Sequence, residues 1–152
     1  PLLTFGDREV VELAVGTYHT CVVLDTGDAL CWGAGTDGQL FPASTADRGA
    51  SAGDVGSGAT LANAGTGKKV RRIACGSTHT CMVMDDRSLV CFGSNTKGEL
   101  GAGDKTPRSA AVTVPSLQVD VVAAGGQFTC AASSTALHCW GDNAYKQVED
   151  SW

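Results

Sequence analysis

The chain has 152 residues, 43% hydrophobic and 18% charged, which suits one ordinary globular domain. No run approaches the ~20 apolar residues that a membrane-spanning helix needs. The formal charge of −5, from 16 acidic and 11 basic residues, is the reverse of what phosphate neutralisation asks for, so nucleic acid is not an expected partner.

Glycine is the compositional outlier, at 20 residues against 4 prolines. Glycine serves tight turns and close backbone approaches and is costly inside helices. No segment carries a sustained apolar stripe at the helical period, whereas short alternating runs bounded by Gly, Asp, Asn and Ser recur. The expectation is an all-β chain. No signal-peptide pattern precedes Pro1 and no Met starts it, so a mature product or an excised part of a longer chain is expected.

In chain order, a short apolar segment, Leu2–Phe5, comes first. The stretch 10–40 follows: a β-rich run, Gly16, the pair Thr20-Cys21, an apolar strand, a turn, a second strand, and the closing Cys31-Trp32-Gly33. An Ala/Gly/Ser-rich stretch, 43–67, reads as a loop insertion that also holds a candidate outer strand, Ala59–Leu61. The stretch 70–100 then repeats the first with Gly76, Thr80-Cys81 and Cys91-Phe92-Gly93. After Ala111–Val114, the stretch 119–147 repeats it again with Gly125, Thr129-Cys130 and Cys139-Trp140-Gly141. The marker glycines are 60 and then 49 residues apart, and the insertion accounts for the difference. Counting the leading segments, each repeat carries about four short strands, the content of a propeller blade. The division that follows is repeat 1 over 1–42, the insertion over 43–67, repeat 2 over 68–110 and repeat 3 over 111–152.

These residues resemble the RCC1 repeat, on the pattern Gly-x-x-His-Thr-Cys, then aromatic-Gly, then Gly-Gln-Leu-Gly. Repeat 2 carries the ending as Gly98-Glu99-Leu100-Gly101, repeat 1 has Phe41 where the last Gly is expected, and repeat 3 stops at Lys146-Gln147. The resemblance implies a β-propeller of about seven blades, of which this chain supplies three. It also implies binding of a protein partner through one face or rim. Three blades leave open faces, which points to a longer chain or an assembly.

Of the seven cysteines, six fall at matching positions: Cys21 with Cys31, Cys81 with Cys91, Cys130 with Cys139. Across an antiparallel turn each pair falls on one rung, as a cross-strand disulfide requires. Such bonds imply an oxidising setting: secreted, cell-surface or an organelle lumen. The seventh, Cys75, has apolar counterparts in Val15 and Ala124 and is expected to be a buried free thiol. Zinc is disfavoured, because no C-x-x-C spacing occurs and successive pairs lie on different blades.

No catalytic residue, cofactor or metal site is assigned. His19 and His79 share a position that Phe128 fills in repeat 3, so packing with a hydrogen bond inside the blade is expected. Trp32, Phe92 and Trp140 are expected to pack between blades. Asp25, Asp28, Asp37, Asp85, Asp86 and Asp142 fall at turns without a calcium-loop pattern. Gly65-Thr66-Gly67-Lys68-Lys69 lacks the rest of a phosphate loop. The leading expectation is a non-enzymatic interaction scaffold, with Phe41–Gly67 and Gly103–Ser109 as contact loops. A nucleotide-exchange propeller, and a glycan-binding or enzymatic domain completed by further blades, stay open beside it.

Overall fold

The structure, a computed structural model, describes residues 3–51, 53–59, 61 and 67–148. Leu2, Thr60, Gly65, Thr66 and the end of repeat 3 from 149 onward lie outside them. Strands β1 (Val10–Val15), β2 (His19–Leu24) and β3 (Ala29–Gly33) form the first antiparallel sheet. The second has four: β4 (Val70–Cys75), β5 (His79–Met84), β6 (Ser88–Gly93) and β7 (Arg108–Gln118). The third comprises β8 (Val121–Ala124), β9 (Phe128–Ala132) and β10 (Leu137–Gly141).

Two-residue periodicity decides where the core lies. In β5, Met82 and Met84 pack toward the first sheet with Val23, Leu40, Ile73 and Phe92. Cys81 and Val83 point the other way, into a second cluster with Leu100, Val114, Leu117, Ala131 and Trp140. The middle sheet is thus covered on both faces, and all six residues of β5 are buried. In the first sheet, Leu13 is 61% and Val15 67% exposed, although their counterparts Ile73 and Cys75 are only 4% and 7% exposed. The difference is a neighbouring sheet, present for β4 and absent for β1.

Two expectations change here. Ala111–Val114 does not open repeat 3; it lies inside β7, which pairs with β6 through Val90–Thr113 and Cys91–Val112 as the outer strand of the second sheet. The boundary drawn between 110 and 111 therefore cuts a strand. Nor is the 43–67 stretch a plain loop with an outer strand. Residues 3–5 and Ala59 form no strand, and the insertion runs through bridges Leu40–Ser44 and Gly33–Arg48 to a single 3-10 turn, Gly56–Gly58. Its Val55, Ala59 and Leu61 join Phe5 against Val22, Leu24 and Leu30. The insertion covers the face of the first sheet that points away from the second.

Candidate functional site

The marker glycines set the spacing at the inner ends of the sheets. A Cβ on Gly76 would collide with the His79 ring and lie 2.6 Å from the Gly125 carbonyl oxygen, and one on Gly16 would strike the Gly76 carbonyl. Glycine here lets neighbouring sheets meet backbone to backbone. The Gly ending β3, β6 and β10 serves a different need. Gly33, Gly93 and Gly141 all have φ between 108° and 113°, a conformation that side chains resist.

Close approach brings together a hydrogen-bonded latch at each junction. Thr80 Oγ1 donates to the Gln39 carbonyl at 2.8 Å, and His19 Nε2 lies 2.8 Å from the same hydroxyl oxygen. A threonine hydroxyl has one proton. With that proton committed to Gln39, the imidazole must be the donor, which fixes the Nε2–H tautomer. The second junction repeats the arrangement with Thr129, the Glu99 carbonyl at 2.8 Å and His79 at 2.9 Å. Sequence reading expected these histidines to bond inside their own blade; they bond to the next one. Burial pushes both imidazoles down to about 4, with the nearby His19 adding to the effect on His79. Thr80 and Thr129 were visible only as markers in the Thr-Cys pair, and nothing in a linear spacing assigns their partners.

The Gly-Gln-Leu ending also finds a cause. Gln39 Oε1 accepts from Asp37 N–H, Glu99 Oε2 from Lys97 N–H and Gln147 Oε1 from Tyr145 N–H, at 3.0, 2.7 and 2.8 Å. In all three repeats the side chain closes its own turn. Among the expected aromatic packers, Trp140 Nε1 donates to the Glu99 carbonyl across the second junction at 2.9 Å. Phe92 meets Phe41 at the first, with ring centroids 5.7 Å apart. His138 sits opposite Ala131 in the β9–β10 ladder. The turn aspartates bond nearby backbone and hydroxyls: Asp25 accepts from Glu9 N–H, and Asp28 from Thr26 Oγ1.

The cysteines occupy three rungs, Cys21–Cys31, Cys81–Cys91 and Cys130–Cys139, each disulfide-bonded with Cα atoms 4.1 Å apart. Cys75 is free and buried. Burial pushes its thiol up to about 12.

Beside the second junction lies a groove of about 370 Å³. Val114, Leu117, Trp140 and Val148 supply its apolar lining, and Lys97, Asp104, Lys105 and Asn143 its polar edge. Hydrogen bonds from Thr106 N–H and then Arg108 hold the Asp104 carboxyl below its ordinary range. Asn95 ties this loop down by donating to the Asp104 and Thr106 carbonyls at 2.9 and 3.1 Å. Both rim and floor are therefore built. Among the described residues no helix is long and apolar enough to cross a membrane.

Small antiparallel sheets packed face to face around shared inner ends define blades of a β-propeller. The description "Regulator of chromosome condensation (RCC1) repeat" matches residues 10–39 and 70–99. Residues 10–39 and 70–99 are thus RCC1 repeats, the recurring unit of RCC1-like β-propellers. It is 31% identical over 146 residues to the E3 ubiquitin-protein ligase HERC2 of Homo sapiens, a match covering 92% of this chain and 3% of that protein. Among solved structures, human WBSCR16 superposes with a TM-score of 0.72 at 21% identity, over 91% of this chain and 35% of that one. Yeast RCC1 (Prp20) bound to Kap60 gives 0.70 at 19% identity, over 91% and 33%. The chain thus spans a small part of HERC2 and about a third of each propeller.

Proposed function

We propose that this chain is a non-enzymatic protein-binding section of a larger propeller, working in an extracellular or lumenal setting. The groove at the second junction carries this reading. An apolar floor of side-chain size with a charged edge suits the anchor residue of a partner protein. The exposure of Leu13 and Val15, whose counterparts are buried, supports a further blade against the first sheet. The yeast propeller's complex with Kap60 supports partner binding by analogy of fold. Three disulfides support the oxidising compartment.

The test has two arms. Intact mass from the natural source, alkylated under denaturing conditions before and after reduction, should exceed 15.5 kDa, with Cys75 the sole alkylated thiol of this region before reduction. Seven reactive thiols would remove the compartment argument. For the groove, cross-linking from Lys97 in the native assembly should reach a second polypeptide. Lys105→Glu should abolish that link while leaving the circular dichroism unchanged. Identical cross-links in the variant would defeat the groove as the contact.

A further inference from the structure

The first junction holds a donor set that the second lacks. A ring nitrogen of His19 and the sulfurs of Cys21 and Cys75 all lie within 4.8 Å of one another, and all three residues are buried. Cys75 is the free thiol, and His19 keeps an Nδ1 with no partner among the described residues. In the oxidised chain Cys21 is committed to Cys31, so the set is incomplete. A phosphine or dithiol reductant changes that. The S–S bond breaks and the two sulfurs take two electrons and two protons; a phosphine leaves as its oxide, with water supplying the oxygen and both protons, and a dithiol leaves as its disulfide after giving up its own two protons. The Cys21 and Cys75 thiols and one imidazole then face one buried point, with the freed Cys31 thiol beside Cys21.

We propose that the reduced protein binds one zinc-class divalent cation on Cys21, Cys31, Cys75 and His19, bridging the first and second blades. Three thiolates with an imidazole form a donor set that zinc takes tetrahedrally, with Zn–S near ~2.3 Å and Zn–N near ~2.0 Å. Sulfurs of one such site stand about 3.8 Å apart, so His19, Cys21 and Cys75, within 4.8 Å of one another, need only small side-chain movements, and Cys31, released from Cys21, turns in as the fourth ligand. The cation also answers a cost: a thiolate buried here is unfavourable alone, and metal coordination compensates its charge. Linear spacing argued against zinc because neighbouring pairs lie on different blades. The fold removes that objection, since Cys75 on β4 reaches the cysteine pair of the preceding blade. The second junction supplies an internal control. His79, Cys81 and Cys91 repeat the set, but Ala124 stands where Cys75 does. Disulfide and metal are alternative closures of one place, chosen by redox poise.

The test uses the full chain, reduced with a phosphine under argon and titrated with Co²⁺ as a spectroscopic probe. The expected result is thiolate-to-cobalt absorption and tetrahedral visible bands saturating at about one equivalent, displaced by about one equivalent of Zn²⁺. Cys75→Ser should weaken Co²⁺ binding at least about tenfold, although it keeps six cysteines and every histidine. A folded Ala124→Cys variant should take about two equivalents. Undiminished binding by Cys75→Ser overturns the proposal. So does a stoichiometry fixed at one in Ala124→Cys, or loss of the β-sheet circular dichroism in the reduced, metal-loaded protein.

Discussion

The two blade junctions share one latch and differ in what surrounds it. At both, a histidine of one blade reaches a threonine of the next, whose hydroxyl bonds a carbonyl back across the gap. At the first, Phe41 against Phe92 fills the space outside the latch, and Cys75 stands beside the disulfide. At the second, the aromatic is Trp140, position 101 is glycine, and a Cβ on Gly101 would lie 2.8 Å from the indole nitrogen. The larger ring is matched by the missing side chain and the smaller ring by a second phenyl. Polar geometry is thus held constant while apolar volume is traded between positions, and the second arrangement leaves the groove beside Trp140.

Gly76 belongs to both junctions, so it offers the hardest blow to the comparison. Gly76→Val should cost more than about 4 kcal/mol in urea unfolding, since neither the His79 ring nor the Gly125 carbonyl has room to yield. Acid comes next. Both imidazoles are pushed down to about 4 from 6.5, so the unfolded chain binds more protons as pH falls. Stability is complete above about 6.5 and lost between there and about 4, by up to about 3 kcal/mol for each imidazole. Glu12, raised by burial, opposes this weakly. Unfolding followed between pH 7 and 4 should show the slope, and His19→Phe with His79→Phe, copying Phe128, should flatten it.

A finer cut separates the two carbonyls. Glu99 also accepts from Trp140, whereas Phe92 has nothing to donate. Thr80→Val should therefore cost about 2–3 kcal/mol and Thr129→Val nearer 1, and equal losses would contradict the account. Smaller still is the volume trade. Phe41→Gly and Phe92→Trp should each destabilise, but together by about 1 kcal/mol less than their sum. Lys105→Glu, at the groove edge, should shift stability by less than about 0.5 kcal/mol.

The all-β class and the repeat frame were legible because Gly, Thr-Cys and Cys-aromatic-Gly recur at fixed offsets, and turns and alternation are local properties. What could not be read was whatever crosses between repeats. His19 and Thr80 are 61 positions apart, and no pattern along the chain pairs them. β7 was misplaced because it contains Pro115 and Ser116, the latter at φ 56°, so it reads as broken rather than as one long outer strand. The covering role of the insertion was hidden because Val55, Ala59 and Leu61 sit singly among glycines and serines with no period to reveal a face. The groove escaped notice for a similar reason: its floor comes from β7, β10 and the segment after β10, which only the fold brings together.

The latch also carries a handed symmetry. The first two blades each offer an imidazole donor and a carbonyl acceptor on one face, and the second and third receive both through a threonine on the other, so front and back are different surfaces. Such a contact is heterologous. Two histidine-bearing blades related by a two-fold axis would set imidazole against imidazole and form no latch. Rotation about a common axis satisfies it at both junctions of this chain, so head-to-tail succession is the arrangement this chemistry permits.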